Sequence, residues 1–310
     1  MAKILFTENV HEVGPSMLRE AGHEIIIANR DMDVVNKEIV DADAIITRIL
    51  DLPVPLLETA KKLKHVSKHG VGVDNIPVDY CREHGIAVTI APGANSQSVA
   101  EHALAMMLAL AKNLKLVSNA YQKNGFAAKN SAPGMEIDGK TVGVIGCGRI
   151  GSRMTRMCVG LGMRVLVYDP YVDQIPDGAE KINDCDELLR QADVITLHCL
   201  LNDETVNLIS ARELGLMKNT AILINCARGP IVDEPALIEA LQKGQIAGAG
   251  LDVTKHEPCE ADSPLFQMEN VILTPHYAPT TREASYKVSQ IAAQNVLDIL
   301  NGKKPEGWVE

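Results

Sequence analysis

Long apolar runs are absent from this sequence, and none approaches the ~18 residues that a membrane-spanning helix needs. No signal peptide is recognised before the first predicted strand. The seven cysteines are scattered without a CxxC pair, which argues against a disulfide framework and against a zinc site. The chain is therefore expected to be cytoplasmic, with reduced thiols and no bound metal.

Positive charge is also in short supply. Lys and Arg number 30 against 40 Asp and Glu, which gives a net charge of −10. This balance argues against nucleic acids and anionic membranes as partners. An anionic small molecule would have to be bound by a local cluster of positive groups.

The length and the apolar content suit two domains, because 310 residues with 46% hydrophobic ones are enough for two cores. In the first third of the chain short apolar strands alternate with helical stretches, which predicts a small parallel α/β domain. Its predicted strands are Ile4–Phe6, Glu24–Ile27, Ala44–Thr47, His65–Val66 and Ala87–Ile90.

The clearest motif is the stretch Thr141 to Gly151, TVGVIGCGRIG. The apolar residues up to Ile145 predict a buried strand that leads directly into a GxGxxG turn and then into a helix. In a dinucleotide-binding turn, Gly146 would permit the tight bend and Gly148 would let the backbone approach a pyrophosphate. Gly151 would let the helix pack on the strand, and the helix N-terminus would offer N–H groups to the phosphates.

A second predicted strand, Arg164–Tyr168, ends at Asp169. An acidic residue at this position would bond the ribose hydroxyls and disfavour a 2′-phosphate, so NAD is expected rather than NADP. The alternative is a glycine-rich turn in some other kind of α/β protein.

The later strands complete a second parallel sheet, and they are predicted at Val194–Leu197, Ala221–Asn225, Ile246–Leu251 and Val271–Thr274. A helix is expected at Glu234–Gln242, and a final one from Thr281 to about Leu300. We predict two doubly wound domains: a Rossmann-like NAD-binding domain over residues 98–283, inserted in a smaller flavodoxin-like substrate domain of residues 1–97 and 284–310. The cleft between them is the expected site.

A helix with an unusual apolar surface is predicted between the two domains. Ser98-Val99-Ala100-Glu101 matches a capping box, so the helix should start there and run to about Val117. Residues 103–111 are apolar nearly all round, which predicts burial between domains or in a dimer contact. The segment 122–139 looks like an excursion around a partner subunit, and a homodimer built on the cofactor domains is expected.

Polar residues follow the strands of the second sheet. His198, Arg228, Asp252 and His276 each come at a strand end, and Glu257 lies in the loop after Asp252. Ligands of open parallel sheets bind outside the carboxyl ends of the strands, so these residues are expected at one site.

Arg228, Glu257 and His276 together suggest reduction of a 2-oxo acid beside a nicotinamide. A guanidinium would hold the carboxylate and polarise the carbonyl, while His276 would protonate the carbonyl oxygen. Glu257 would orient His276 and favour its protonated form. The alternatives are a structural histidine and an arginine that merely caps a strand end.

Six motifs extend over nearly the whole chain: HGVGVDN (69–75), NSQSVAE (95–101), GCGRIG (146–151), NCARGPIVDE (225–234), LDVTKHEP (251–258) and TPH (274–276). With them the chain resembles the D-2-hydroxyacid dehydrogenase family, and most closely its phosphoglycerate dehydrogenase branch. The resemblance implies an NAD-dependent oxidoreductase with Arg228, Glu257 and His276 as its catalytic residues.

The resemblance also implies binding roles for individual residues. Val71 and Gly72 would offer backbone N–H groups to the substrate carboxylate, and Asn95 would join them in binding substrate. The cofactor contacts predicted from the glycine turn, the strand ends and the resemblance are Gly146, Gly148, Arg149, Ile150, Gly151, Asp169, His198, Cys199, Thr205, Cys226, Ala227 and Asp252. Among these, Asp252 is expected at the nicotinamide amide.

The chain departs from the branch at Leu200, where proline is frequent, and at Tyr277-Ala278-Pro279, where small residues are frequent. The loop shape around the nicotinamide therefore stays open. The C-terminal regulatory domain that the branch often carries is not expected. Alternative substrates are those of hydroxypyruvate or glyoxylate reductases and D-lactate dehydrogenases. An alternative of another class is an NADH-sensing, corepressor-like protein without turnover.

Three basic residues, Arg48, Lys68 and His69, lie near the glycine loop proposed for the substrate carboxylate. They exceed what a monocarboxylate needs, so a second anionic group is predicted and 3-phosphoglycerate with phosphohydroxypyruvate is the favoured pair. Lys68 lacks the bidentate fork of an arginine, and His69 could crowd the pocket. Alternatively, Arg48 and Lys68 are solvated or paired with acidic neighbours.

Overall fold

The computed structural model describes residues 1–309. The chain forms two compact units: one comprises Met1–Asn95 together with the residues from Thr280 onward, and the other comprises Ser96–Pro279. Each unit is built on its own parallel sheet flanked by helices, so the predicted α/β class is confirmed. None of the helices in the described range is both long and apolar enough to cross a lipid bilayer.

Eleven of the twelve strands within residues 1–309 were predicted from the sequence pattern, and the strand Ala179–Lys181 was missed. The first unit contains β1 (Lys3–Phe6), β2 (Glu24–Ile27), β3 (Ala44–Thr47), β4 (His65–Lys68) and β5 (Ala87–Thr89). The second unit contains β6 (Thr141–Ile145), β7 (Arg164–Tyr168), β8 (Ala179–Lys181), β9 (Val194–Leu197), β10 (Ile222–Asn225), β11 (Gly248–Leu251) and β12 (Val271–Leu273).

The helices alternate with these strands. The first unit contains α1 (Val13–Glu20), α2 (Met32–Glu38), α3 (Val54–Leu57) and α4 (Val78–Glu83). The second contains α5 (Ser96–Ala111), α6 (Leu114–Asn124), α7 (Gly151–Gly160), α8 (Cys185–Gln191), α9 (Ala211–Leu216) and α10 (Glu234–Gln242). The last helix, α11 (Arg282–Leu300), belongs to the first unit.

The five-stranded sheet of the first unit has the order β2-β1-β3-β4-β5, which is the flavodoxin-like order. Alternate residues of each strand point to opposite faces. Ile4 and Phe6 of β1 pack with Ala292 and Val296 of α11 on one face. Leu5 packs on the other face, against the helices that follow β2, β3 and β4.

The seven-stranded sheet of the second unit has the order β12-β11-β10-β9-β6-β7-β8. Val142 and Val144 of β6 pack on the face covered by α5 and α7. Ile145 lies on the opposite face with α8, α9 and α10. A Cβ on Gly143 would lie 2.3 Å from Leu188 Cδ2, so the glycine lets α8 approach β6 closely.

The start and the end of α5 differ from the prediction. The helix begins at Ser96, and Ser98 lies inside it instead of capping it. The side chain of Glu101 accepts a hydrogen bond from Gln97 Nε2 at 2.8 Å, the i,i+4 pairing of a helix surface. The helix does not reach Val117 either, because Asn113 adopts a left-handed conformation with φ 50° and ends it.

The buried side chains of α5 contact the sheet of its own unit. Met106 packs over Gly250 of β11, where a Cβ would lie 3.0 Å from the Cβ of Met106. The helix also packs on β10 and α7. Much of the apolar surface that suggested a dimer contact is thus covered within the unit. After α6 the excursion forms a short 3-10 segment, Gly125–Asn130, and then continues irregularly to β6.

A buried histidine lies in the first unit. The imidazole of His65 is 0% exposed, with Nε2 2.8 Å from Thr89 Oγ1. Its Nδ1 has no hydrogen-bond partner in the described chain. Burial lowers the pKa of His65 to about 3, because the charged ring cannot be solvated there.

This histidine should make the fold sensitive to acid. The ring takes up a proton near pH 6.5 when unfolded but near 3 when folded, so stability is lost as the pH falls between these values. In that window the free energy of unfolding of the wild type should fall by about 1.4 kcal/mol more per pH unit than that of His65→Gln. Urea unfolding between pH 7 and about 4 measures this, with the exposed-residue variant His84→Gln as control. Equal slopes for wild type and His65→Gln would contradict the account.

Candidate active site

The carboxyl ends of six neighbouring strands bring most of the predicted residues to one edge of the second sheet. Because the strands are all parallel, the residues that follow them lie along the same edge. In spatial order these residues are His276 after β12, Asp252 after β11, Arg228 after β10, His198 after β9, Gly146 after β6 and Asp169 after β7.

The glycine turn after β6 has the geometry of a dinucleotide-binding loop. Gly146 has φ +89°, and a Cβ there would lie 2.5 Å from the backbone nitrogen of Cys199. A Cβ on Gly151 would lie 2.0 Å from the carbonyl oxygen of Gly146, so α7 can begin this close to β6 only with glycine. A Cβ on Gly148 would have nothing within 4 Å, which leaves room for a ligand against the backbone. Arg149 and Ile150 complete the turn, and Ile150 is the N-cap residue of α7.

Asp169 lies directly beside this turn. Its Oδ2 accepts a hydrogen bond from the backbone N–H of Cys147 at 2.7 Å, and its Oδ1 accepts one from Tyr171 at 2.9 Å. The carboxylate is thus fixed at the end of β7, adjacent to the strand that carries the turn. This is where the ribose of a bound dinucleotide would lie.

His198 and Cys199 follow β9, on the other side of β6. The chain reverses its strand order between β6 and β9, and ligands of open α/β sheets bind at such a point. The Nε2 of His198 is 2.9 Å from Thr196 Oγ1, and burial lowers the pKa of His198 to about 4. Burial raises the pKa of the Cys199 thiol to about 11, so it is protonated near neutral pH.

Thr205 closes the loop that begins at Leu200. Its hydroxyl donates to the carbonyl of Leu200 at 2.5 Å and accepts from the N–H of Asn202 at 2.8 Å. The exposed fraction of Leu200 is 81%, so its side chain projects outward. The structure gives Thr205 a role in shaping this loop.

Asn225, which the sequence did not single out, fixes the turn that carries Arg228. Its side-chain amide accepts a hydrogen bond from the N–H of Ala227 at 3.0 Å and donates one to the carbonyl of Arg228 at 2.9 Å. These two bonds fix the backbone of residues 225–228. The guanidinium donates to the carbonyl of Ala227 at 2.7 Å. A strand-terminal asparagine followed by a short turn was the available signal.

Gly229 fixes the neighbourhood of Arg228. A Cβ at Gly229 would lie 1.8 Å from the carbonyl oxygen of Thr254. The turn after β10 and the loop after β11 therefore touch through their backbones. This close approach places Arg228 next to the loop that contains Glu257.

Asp252 is 1% exposed and organises the loop after β12. Its Oδ1 accepts from the hydroxyl of Thr274 at 2.5 Å and from the N–H of Tyr277 at 2.7 Å, and its Oδ2 accepts from the N–H of Ala278 at 2.8 Å. The backbone carbonyl of Asp252 accepts from the N–H of His276. The structure thus shows the carboxylate engaged with protein groups on both sides of His276.

His276 and Glu257 form the pair expected from the sequence pattern. The distance from His276 Nδ1 to Glu257 Oε2 is 2.7 Å, which fixes the ring orientation and leaves Nε2 for another partner. His276 has φ 51°, a left-handed conformation that costs a non-glycine residue roughly 1–2 kcal/mol. The surrounding hydrogen bonds must hold it there.

Arg48 lies in the first unit, in the loop after β3. The carboxylate of Glu8, 4% exposed, accepts the N–H groups of Arg48, Ile49 and Leu50 at 2.8, 2.7 and 2.7 Å. Burial alone would raise the pKa of Glu8, but these bonds and one from Thr7 hold it below its usual value. The Arg48 guanidinium itself has no hydrogen-bond or ion-pair partner among residues 1–309.

His69 does not add a further cation, and the ammonium group of Lys68 is engaged by neighbouring loops. The ammonium group of Lys68 donates to the carbonyl of Arg48 at 2.7 Å and to Asn75 Oδ1, so it ties two loops together. Burial, with a contribution from the charge of Arg48, lowers the pKa of His69 to about 4. His69 is therefore neutral near pH 7 and is not one of the positive groups expected here, whereas the substrate roles of Arg48 and Lys68 stay predictions.

The glycine loop after β4 is open to an anion. The N–H groups of Val71 and Gly72 make no hydrogen bond within residues 1–309, and Val71 is 39% exposed. Asn95 ends the turn that precedes α5. The predicted substrate residues, Arg48, Lys68, His69, Val71, Gly72 and Asn95, all belong to the first unit, whereas the predicted catalytic and cofactor residues all belong to the second.

Comparisons with known proteins give matches over most of the chain. Residues 104–278 match the family described as D-isomer specific 2-hydroxyacid dehydrogenase, NAD binding domain. A D-3-phosphoglycerate dehydrogenase of Methanocaldococcus jannaschii is 40% identical over the whole chain, and the chain spans 59% of that protein's length. A glyoxylate reductase of Korarchaeum cryptofilum is 36% identical over 89% of this chain and 85% of its own length.

A solved structure matches as well. The D-lactate dehydrogenase of Aquifex aeolicus, complexed with NAD and lactic acid, has a TM-score of 0.86 and 32% identity over 97% of this chain and 96% of its own. The three relatives carry different substrate names, so the comparisons do not fix one substrate.

Two glycines of the turn should respond differently to alanine. Gly151→Ala places a Cβ against a backbone oxygen, so its free energy of unfolding should fall by about 1–3 kcal/mol or more. Gly148→Ala meets open space and should fold with nearly wild-type stability, yet bind NADH more weakly because the Cβ occupies the approach to the turn. Urea unfolding and NADH fluorescence titration measure both effects. Wild-type stability of Gly151→Ala would contradict the observed packing.

Proposed function

The chain belongs to the D-isomer specific 2-hydroxyacid dehydrogenase family, and we propose that it catalyses hydride transfer between NAD(H) and a small 2-oxo or 2-hydroxy acid. The observation that carries the proposal is the hydrogen-bonded pair of His276 and Glu257, on the same sheet edge as the glycine turn of an NAD-binding domain. Members of this family are NAD-dependent oxidoreductases that act on the CH–OH group of 2-hydroxy acids.

The cofactor requirements match the residues of the turn. The free space at Gly148 and the N-terminus of the ten-residue helix α7 suit a pyrophosphate. The carboxylate of Asp169 suits ribose hydroxyls and disfavours a 2′-phosphate beside it. Bound NADH would supply the hydride to the carbonyl carbon of the substrate.

The side chains after β10 and β12 supply the rest of the chemistry. His276, protonated, would donate the proton on Nε2 to the carbonyl oxygen and finish as the neutral ring, with Nδ1 still hydrogen-bonded to Glu257. Arg228 would bind the substrate carboxylate and polarise the carbonyl. Reduction needs the protonated ring, and oxidation needs the neutral ring.

Phosphohydroxypyruvate, with 3-phosphoglycerate as its reduced form, is the proposed substrate pair. In support, Arg48 has an unpaired guanidinium and the backbone N–H groups of Val71 and Gly72 suit a carboxylate. The named relatives include D-3-phosphoglycerate dehydrogenases, but also glyoxylate reductases. Of the three basic groups first expected to bind a second anion, Arg48 is the one whose charged group has no hydrogen-bond or ion-pair partner among residues 1–309.

The role of His276 is tested by substitution. His276→Asn should bind NADH normally but lose on the order of 10²–10⁴ in turnover, since the general acid is removed. His256→Asn, an exposed histidine in the same loop as Glu257, is the matched control and should keep its turnover. NADH oxidation should be followed with phosphohydroxypyruvate, hydroxypyruvate, glyoxylate and pyruvate. Near wild-type turnover of His276→Asn would exclude it as proton donor.

Substrate choice is tested at two neighbouring cations. Arg48→Ala should raise KM for phosphohydroxypyruvate more than for hydroxypyruvate, because one charge of the substrate loses its partner. Lys68→Met should change both KM values alike, because the ammonium group ties loops together. If Arg48→Ala affects both substrates equally, the second-anion assignment fails. A selective effect of Lys68→Met would instead assign phosphate recognition to Lys68.

A homodimer is proposed from the surface of α6 and the segment after it. None of the residues of α6 is buried, and Leu114, Tyr121 and Phe126 are 56%, 60% and 76% exposed. Exposed apolar surface of this kind is commonly covered by a second copy.

The seven cysteines are all free thiols, which suits the reducing cytoplasm, and cell fractionation tests that location.

The dimer has a simple test. Light scattering should give twice the chain mass at micromolar concentration, and Tyr121→Asp with Phe126→Asp should convert the protein to a monomer with NADH binding retained. Tyr171→Asp, at a residue 73% exposed elsewhere on the same unit, should stay dimeric. A wild-type protein that is monomeric at these concentrations would refute the proposal.

A further inference from the structure

We propose that His102 is a positioning residue for His276, acting through Thr274 and Asp252. His102 lies on α5, outside the loops that carry the candidate catalytic residues. All four residues belong to the second unit. The inference rests on the proposed function, because it assigns a role in the reaction to a residue that would not touch the substrate.

The hydrogen bonds define the direction of this chain of residues. His102 Nε2 is 3.1 Å from Thr274 Oγ1, and Thr274 Oγ1 is 2.5 Å from Asp252 Oδ1. An ionised carboxylate only accepts hydrogen bonds, so the Thr274 hydroxyl donates to Asp252 and must accept from His102. His102 therefore carries its proton on Nε2. Its Nε2 also lies 3.6 Å from Asp252 Oδ1, which adds a direct electrostatic contact.

Asp252 transmits this constraint to His276. Its carboxylate accepts hydrogen bonds from Thr274, Tyr277 and Ala278, and its backbone carbonyl accepts the N–H of His276. These contacts bracket His276 on both sides and close the loop tightly. Such a closed loop accounts for the left-handed φ of 51° at His276, which its side chain would otherwise disfavour.

His102 also contacts the loop on the far side of His276. Its ring meets that of Tyr277 edge to face, with centroids 6.0 Å apart and an interplanar angle of 61°. The ring of His102 gives Tyr277 a packing partner. Helix α5 is anchored on β10 and β11, so it offers His102 as a rigid support for the loop.

The consequence is that the orientation of His276 depends on a hydroxyl and an imidazole outside the reacting centre. Without the Thr274 hydroxyl, Asp252 loses one donor and His102 loses its acceptor. The loop can then relax toward ordinary backbone angles, and the bond between His276 Nδ1 and Glu257 is lost or lengthened. A displaced proton donor lowers the rate of the chemical step without changing the site of the dinucleotide.

The test uses isosteric variants at Thr274. Thr274→Val keeps the shape and removes the hydroxyl, and Thr274→Ser keeps the hydroxyl. Thr155→Val is the matched control, because the Thr155 hydroxyl is buried in α7 without a hydrogen-bond partner in the described chain. We expect Thr274→Val and His102→Leu each to lower kcat on the order of 10- to 100-fold. The kcat of Thr274→Ser and of Thr155→Val should stay within about twofold of the wild-type value, because neither substitution displaces His276.

Two further readouts separate positioning from other roles. The Kd for NADH should stay unchanged in Thr274→Val, whereas a parallel loss of affinity would show that Asp252 acts on the nicotinamide instead. The double variant His102→Leu with Thr274→Val should be no slower than the slower single variant, since both remove the same connection. Multiplicative losses, or wild-type kcat in Thr274→Val, would overturn the proposal.

Nuclear magnetic resonance of the imidazole nitrogens gives a readout independent of turnover. In wild type and Thr274→Ser, the His276 Nδ1–H should show a downfield proton shift from its bond to Glu257, and Thr274→Val should lose that signal. If no 2-oxo acid is turned over by wild type, the proposed function fails, yet this measurement still decides the positioning. An unchanged His276 signal in Thr274→Val would overturn the inference.

Discussion

Buried carboxylates that accept several backbone N–H groups fix the loops on which this structure depends. Asp252 holds the loop of His276, and Glu8 holds the loop of Arg48. Each carboxylate is almost completely buried, so its negative charge is stabilised by protein donors in place of water. These hydrogen bonds fix the backbone conformation of loops that lack regular secondary structure. The positions from which the functional side chains project are fixed with it.

The parallel sheet of the second unit then determines which residues can act together. Its strand order places β6 between β9 and β7, so the glycine turn lies at the point where the order reverses. Asp169 lies on one side of that turn, and Arg228, Asp252 and His276 follow the strands on the other. The proposed cofactor site and the proposed proton donor therefore lie at the same edge of the sheet.

The sequence was most informative where a pattern carries a direct steric or periodic meaning. Eleven of the twelve strands in the described part of the chain and the flavodoxin-like order of the first sheet follow from alternation, and the need for glycine at 146 and 151 follows from the space that a Cβ would need. The start of α5 was wrong because Ser96 and Ser98 can both begin a helix. His69 was counted as a cation because its burial cannot be read from sequence. Glu8 and His102 were missed because their hydrogen-bond partners are distant in the chain. Asn225 was missed because its partners, Ala227 and Arg228, lie within a turn whose geometry the sequence does not show.

The central claim is that the second unit binds NAD at its glycine turn and presents His276 Nε2 to the oxygen of a 2-oxo acid. A crystal structure with NAD and the unreactive analogue oxamate tests it most directly. The account predicts the pyrophosphate against Gly146–Gly151, the ribose on Asp169, and an analogue oxygen within hydrogen-bonding distance of His276 Nε2 with Glu257 still on Nδ1. A dinucleotide bound elsewhere, or an analogue out of reach of His276, would contradict it.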